Sequence, residues 1–170
     1  MQYANAFSYK KWANSELLAL GERQLHLLPV DDANFFIRIL NHTAVVDSLF
    51  ISRLSNTNEQ FAADNTVETP TLSELRERME ESDAWLVKFT ESASSTELER
   101  VITFRFTDGD YGQLSIDEIL LHLLTHGSNH RGMASRVLAV NGLERPKDTF
   151  TRFLHELEPF RRKAAGGVGA

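Results

Sequence analysis

Apolar residues recur at intervals of three and four along most of this 170-residue chain, which is the spacing of an amphipathic helix. Only 4 prolines and 9 glycines interrupt the pattern. Long helices with one apolar face bury those faces against each other, so an all-α bundle is the simplest fold. We expect a single domain over residues 1–163, followed by a flexible tail at residues 164–170.

Stop signals and a candidate N-cap place the first two helices. The first begins near Tyr3 and ends between the low twenties and Leu28, because Pro29 cannot continue it. Asp31 is a candidate N-cap for the second helix, whose apolar stripe begins at Phe35. A polar connection over residues 55–70 follows this helix.

Capping boxes mark the next two helices, one formed by Thr71 and Glu74 and the other by Ser115 and Glu118. The Asn-Gly pair at 141–142 ends the fourth helix, and a short fifth helix covers residues 149–162. Residues 101–106 alternate as in a strand, and the Asp-Gly turn signal at 108–109 indicates a small hairpin. The sequence therefore predicts an up-down-up-down four-helix bundle with a short fifth C-terminal helix and a hairpin before helix 4.

Composition excludes several functions. The 18 basic and 24 acidic residues give a net charge of −6, which argues against nucleic-acid and membrane partners. Because the chain has no cysteine, any metal must be held by nitrogen and oxygen ligands. We see neither a transmembrane run nor a secretory signal, so we expect a cytoplasmic protein.

Three of the six histidines, His122, His126 and His130, follow one another at intervals of four in the fourth predicted helix. Histidines at i and i+4 lie about one turn apart on one face, so both rings can reach one ion. At about 100° per residue, the apolar stripe centres near His130, with His126 inside it and His122 at its edge. We expect His126 and His130 to face the core. The segment lacks the glutamate of an H-E-x-x-H protease helix.

His42, in the apolar stripe of the second predicted helix, is the third candidate ligand. A buried imidazole needs partners for its nitrogens, and a shared ion would meet that need for all three rings. Three histidine ligands leave a fourth position for water or substrate, which is typical of a reactive site. Spacing alone leaves open the alternative that the three are hydrogen-bonded core residues without a metal.

Neighbouring polar residues are given structural interpretations. Asp47 lies five residues after His42 and points to another helix face, so we expect a solvated carboxylate. Arg131 is expected in a surface or inter-helix salt bridge rather than on a substrate. His26 and His155 are interpreted as surface or boundary residues.

Four segments of the chain carry a resemblance to a known family: Tyr9–Asn14, Ile39–Leu54, Leu121–Gly132, and Leu138–Gly142 with Pro146. They resemble the DinB/YfiT-like family of four-helix-bundle metalloproteins. The resemblance spans nearly the whole chain, in order, and its most specific part is the segment around the paired histidines.

The resemblance implies a metal triad of His42, His126 and His130, bound zinc or nickel, and homodimers. It also implies, for some relatives, transfer or isomerisation reactions that use low-molecular-weight thiols. One departure is Met133, where the family often has glutamine after Arg-Gly. A thioether cannot replace the hydrogen bonds of an amide, so a supporting role near the metal would be lost here.

Three functions follow as alternatives. The first is a metal-dependent hydrolase or thiol-dependent transferase, with an open three-histidine site and an unknown small-molecule substrate. The second is a non-catalytic stress-response or dimerisation module that the metal stabilises. The third is a helical protein with core histidines and no metal.

Overall fold

The computed structural model describes residues 2–162, so the tail expected at residues 164–170 lies outside the described part. Four long helices dominate it. A short helix and a two-stranded hairpin follow the third of them, and a further short helix follows the fourth. In chain order the elements are α1 (Gln2–Gln24), α2 (Val30–Ser55), α3 (Leu72–Ser92), α4 (Ser95–Glu99), β1 (Val101–Arg105), β2 (Tyr111–Ser115), α5 (Ile116–Val140) and α6 (Phe150–Leu157). The all-α bundle with a short C-terminal helix is confirmed.

Contacts between α3 and the first two helices correct the predicted order of directions. Lys10 of α1 contacts Asp83 of α3, and Glu22, about three turns further along α1, contacts Arg76. Residue numbers in α1 and α3 therefore run in opposite directions. Asp47 of α2 and Asp83 of α3 lie at the same level, because both contact the Lys10 amine. One to two turns earlier in each helix, Asn41 of α2 contacts Arg78 of α3. The two helices therefore run parallel.

The last long helix runs parallel to the first. The Tyr3 hydroxyl donates to the carbonyl of Asp117, and at the other end the Gln24 amide donates to the carbonyl of Glu144. The bundle is thus up-down-down-up, not up-down-up-down. The physical reason is the long connection over residues 56–71, which crosses the full length of the bundle and lets α3 begin where α2 begins.

The helix starts show which capping signals operate. Both predicted capping boxes form, with reciprocal hydrogen bonds at the starts of α3 and α5. Asp31 is not an N-cap, because Pro29 occupies the cap position and Asp31 lies in the first turn, where its charge favours the helix dipole. The stripe of α2 is also shifted by one residue, since Phe36 is fully buried and Phe35 is 43% exposed.

The predicted hairpin is present and closes one end of the bundle. Antiparallel pairing runs from Val101 opposite Ser115 to Arg105 opposite Tyr111. Phe104 is buried by this pairing and packs with Phe50 at a ring distance of 5.6 Å. The apolar face of the hairpin therefore packs into the core cluster that contains Phe7 and Phe50.

Two apolar clusters fill the bundle, one towards each end. One includes Leu17, Phe36 and Leu138, and the other includes Phe7 and Phe50. Between them, at mid-height, buried polar side chains come from four long helices. They are Lys10, Asn14, Asp47, Asp83 and Arg131. The three candidate histidines occupy the same level of α2 and α5.

The α2 helix is long and apolar enough to cross a membrane by length and composition. However, 61% of its most apolar window is buried inside the structure. Since the other long helices cover it, α2 is the core helix of the bundle.

Candidate metal centre

The structure brings the three predicted histidines together. His42 lies midway along α2, and His126 and His130 lie one turn apart on the facing side of α5. The Nε2 atom of His126 lies 3.0 Å from the Nε2 atoms of both His42 and His130. The potential ligand atoms of the three rings are all within 4.8 Å of one another.

A backbone carbonyl orients the His42 ring. The Nδ1 atom of His42 lies 2.7 Å from the carbonyl oxygen of Asp64, in the connection after α2. A carbonyl can only accept, so Nδ1 carries the hydrogen and donates it. In the neutral ring the lone pair is then on Nε2, which faces the other two histidines. This is the arrangement that usually fixes a metal-binding imidazole.

Burial keeps the paired histidines neutral. Burial, and to a lesser degree the neighbouring His130 and His42 rings, lower the pKa of His126 to about 3. The pKa of His130 is also lowered, by burial first and then by His42. Neutral imidazole is the form that ligates a metal, so the environment favours ligation at neutral pH.

The contacts among the rings fit a bound cation better than hydrogen bonds alone. The single Nε2 atom of His126 has either one hydrogen or one lone pair, yet it faces two other Nε2 atoms at 3.0 Å. A single hydrogen or a single lone pair cannot point at two partners at once, so at least one of these contacts is not a well-directed hydrogen bond. Zn–N bonds of about 2.1 Å in tetrahedral geometry would place ligand nitrogens about 3.4 Å apart, which is close to the 3.0 Å of the two contacts.

An apolar cavity of about 390 Å³ adjoins the cluster. His42 and His126 form part of its wall, and Arg53, Glu118 and His122 add polar groups. The remaining wall is mostly apolar and includes Val46, Leu49, Phe50, Phe106 and Leu114. A ligand with an apolar body could therefore reach the histidines from this side.

Asp47 is not the solvated carboxylate that the sequence predicted. It is 1% exposed and accepts a hydrogen bond from the Lys10 amine at 2.6 Å. The same amine contacts Asp83 at 2.7 Å, and Asp83 also accepts from the amide of Asn14. The prediction failed because the cation that draws Asp47 inwards comes from α1, which no spacing within α2 can reveal.

Charges within this cluster shift each other's titration. Burial lowers the pKa of Lys10, but Asp47 and Asp83 outweigh that effect, and the net pKa is raised. Burial raises the pKa of Asp47 to about 6, against the opposing effect of Lys10. One Asp47 oxygen is buried without a hydrogen-bond partner within residues 2–162, which is consistent with this strained balance.

The other sequence interpretations mostly hold. Arg131 is 2% exposed and pairs with Asp148 at 2.8 Å, so it serves a salt bridge, as predicted. His122 is exposed at the rim, with its ring centre 5.2 Å from that of His126. His26 is exposed and His155 is half-buried, also as predicted.

Met133 lies outside the cavity wall. It is 38% exposed and lines a separate apolar hollow with Phe35 and Val140. Met133 and His126 lie on the same face of α5, but Met133 is seven residues, about two turns, further along the helix. It therefore lies beyond the histidine rings. The departure from the family's glutamine therefore affects the surface more than the histidine cluster.

Sequence reasoning missed the parts of the site that come from irregular segments. The carbonyl of Asp64 acts through the backbone, which has no side-chain signature. Phe106 and Thr107 reach the cavity because the hairpin turn folds over it. A turn signal locates such residues in the chain but does not show what they face.

The chain is thus a helical-bundle protein in which two facing helices present three histidines with the geometry of a metal site. The family model of the DinB family matches residues 1–161, so the chain belongs to that family. No curated protein sequence matches the chain. No solved structure matches it either.

Proposed function

We propose that His42, His126 and His130 bind one divalent metal ion, with zinc or nickel preferred. The observation that carries the proposal is the convergence of three Nε2 atoms, one of which faces both others at 3.0 Å. Membership of the DinB family and the neutral state of the paired rings support it. Three nitrogen ligands suit either ion, so the preference between them rests on measurement.

We also propose that a fourth coordination position opens into the adjoining cavity and accepts a small-molecule substrate. When bound, the metal would lower the pKa of a water or a thiol at that position. The apolar wall would exclude water around the substrate, while Arg53 and Glu118 would orient its polar groups. A metal-dependent hydrolysis or a thiol transfer, with a low-molecular-weight thiol as substrate, fits this arrangement.

Metal content tests the ligand set directly. Untagged protein should retain about one equivalent of zinc or nickel by elemental analysis, and His126→Ala should reduce it at least about tenfold. His155→Ala is the matched control, because this histidine lies in α6, outside the cluster, and should leave the metal content unchanged. Equal metal content in both variants would refute the proposed ligands.

Turnover distinguishes an enzyme from a metal-stabilised module. Metal-loaded protein should convert members of a panel of thiols with electrophiles, or of ester and amide substrates, faster than His126→Ala does. Cobalt-substituted protein should also change its visible spectrum when a thiol is added, since the thiol would enter the open position. A bound metal with neither response would favour the non-catalytic module.

Two further expectations remain proposals. We propose a cytoplasmic location and a homodimer, the latter as the family resemblance implies. Exposed apolar side chains on α5, Leu121, Met133 and Val140, are compatible with an association surface, whereas α1 exposes no large apolar side chain within the described residues. Light scattering at micromolar protein concentration should give twice the monomer mass of 19.3 kDa.

A further inference from the structure

A second, larger cleft lies on the other side of α5 from the histidines. Its volume is about 1090 Å³, and its walls come from α5, the segment after it, and α6. It shares no lining residue with the cavity beside the histidines. Ser128, Arg131 and Ser135 face it, and these positions point away from His126 and His130 on the helix wheel.

Basic side chains are concentrated in this cleft. Six of the chain's 18 lysines and arginines line it, together with His155 and a single carboxylate, Asp148. The six are Arg131, Arg136, Arg145, Lys147, Arg152 and Arg162. Such clustering is notable in a chain of net charge −6, because a random distribution would place acidic residues among them.

Two of these cations, Arg131 and Arg152, are held in place by neighbouring side chains. The Arg131 guanidinium is held by Asp148 at 2.8 Å and by the Asn14 side chain at 3.4 Å. Arg152 is held by Glu156 at 2.6 Å and Glu16 at 3.3 Å. Their charges are largely neutralised, so they shape the cleft rather than supply its attraction for anions.

The other four cations are free. Within residues 2–162, Arg136, Arg145, Lys147 and Arg162 have no carboxylate oxygen within ion-pair distance, and all four are exposed. They repel one another in the absence of a counter-charge, and an anion between them would relieve that repulsion. The hydroxyls of Ser135, Thr149 and Thr151 also line the cleft, which adds neutral donors.

We propose that this cleft binds a small polyphosphate, inorganic or organic. Guanidinium groups pair with phosphate oxygens through two parallel hydrogen bonds, and several such groups suit a ligand with more than one phosphate. At about 1090 Å³ the cleft is far larger than a single phosphate and large enough for a nucleotide. Nucleic acid is disfavoured, because the basic residues gather around one cleft and not along a stripe, on a molecule of net charge −6.

Calorimetric titration tests the proposal with tripolyphosphate, ADP and sulfate as probes. Because phosphates also bind metals, the titrations use wild-type full-length protein with chelator and, separately, the His126→Ala variant. Both should bind about one equivalent of tripolyphosphate or ADP, more tightly than sulfate, and added salt should weaken binding. Tighter binding of ADP than of tripolyphosphate would identify an organic ligand, and the reverse an inorganic one.

A pair of double variants shows whether the cleft is responsible. Arg136→Gln with Arg145→Gln should weaken binding at least about tenfold, since each loses charge-assisted hydrogen bonds. Arg23→Gln with Lys88→Gln removes the same charge from exposed positions outside the cleft and should bind like wild type. All four residues are exposed, so folding should persist, and the melting temperature checks this.

Several results would overturn the proposal. One is the absence of binding heat at about 5 mM tripolyphosphate or ADP. Another is an equal loss of affinity in the two double variants. A third is loss of binding in the His126→Ala variant. Tighter binding of a single-stranded oligonucleotide than of tripolyphosphate would also overturn it, by showing a nucleic-acid surface. Because the metal site is disabled in one arm, failure here is distinguishable from failure of the proposed metal function.

Discussion

At the scale of single residues, the amine of Lys10 decides whether the polar layer in the bundle is stable. It is 1% exposed and contacts Asp47 and Asp83 at 2.6 and 2.7 Å. Lys10→Met would leave two carboxylates buried without their cation, which costs about 3–5 kcal/mol of unfolding free energy. Urea denaturation at pH 7 measures this loss, with the exposed neighbour variant Lys11→Met as a control near zero. Similar stabilities for the two variants would contradict the geometry.

A second prediction at this scale concerns pH in the metal-free protein. The pKa of His126 falls from 6.5 to about 3 on folding, so the native state favours the neutral ring. Its stabilising contribution is complete above pH 6.5 and is lost as the pH falls towards 3. Urea denaturation with chelator, from pH 7.5 to 5, should show a larger loss of stability in wild type than in His126→Ala.

Asp47 acts in the opposite direction over part of that range. Its folded pKa is raised to about 6, so its contribution grows as the pH falls from 6 towards 3.8. Because both proteins in the comparison contain Asp47, its effect cancels in the difference between them. A difference that does not change with pH would show that His126 titrates normally in the folded protein.

The residues of the site differ in how far the sequence could predict them. His126 and His130 belong to one helix, so their shared face follows from a spacing of four. His42 was a candidate because it lies in the apolar stripe of its helix, and the family resemblance supported it, but its position opposite the pair depends on how α2 docks onto α5. Lys10 and Asp47 were missed because their contact joins two helices whose relative register no local pattern determines.

At the scale of helices, two glycines of α5 offer a matched test of close packing. A methyl group on Gly127 would lie 3.2 Å from Cε of Lys10, whose amine two carboxylates hold in place. A methyl group on Gly132 would meet nothing within 4 Å. Gly132→Ala should therefore stabilise by up to about 1 kcal/mol through helix propensity, while Gly127→Ala should lose that gain or destabilise.

Thermal melting of both variants checks the difference at neutral pH. Equal stabilisation by the two substitutions would mean that Lys10 can move aside freely, against the ion pairs that fix it. The comparison is well matched, because both glycines lie in the middle of the same helix and neither has a positive φ.

Helices were predicted correctly from the sequence where a capping motif or a long apolar period marked them. The two capping boxes fixed the starts of α3 and α5 because each is a reciprocal contact within four residues. The short helix α4 was not predicted, although Ser94 caps it through the amide of Glu97. A five-residue helix has almost no hydrophobic period, so only its cap could have indicated it.

At the scale of the whole molecule, the direction of α3 was the error, and its cause is general. Each helix was recognised from its own residues, but the direction of the next helix depends on whether a connection turns back or crosses over. The 56–71 segment crosses over, and it is anchored on the way by Asn65 and Thr66, which bond to Asn41 of α2. Those contacts between a loop and a helix are not visible in periodicity.

This crossing connection gives the last prediction, because the proposed metal would tie it to both facing helices. The carbonyl of Asp64 holds His42 of α2, and the ion would join His42 to His126 of α5. Opening of the connection near Phe61 would then require release of the ion. Chymotrypsin should cleave after Phe61 several-fold more slowly in metal-loaded protein than with chelator, and up to about 100-fold more slowly at free metal 100 times Kd.

Cleavage after Phe160 provides an internal control, since this residue is 75% exposed and lies in the C-terminal segment beyond α6. Its rate should be the same with metal and with chelator. His42→Ala should remove the metal dependence at Phe61, because the link between the connection and the ion is lost, whereas His155→Ala should retain it. If chelation left the Phe61 rate unchanged in wild type, the ion would not couple α2, α5 and the connection, and a purely local role for the histidines would follow.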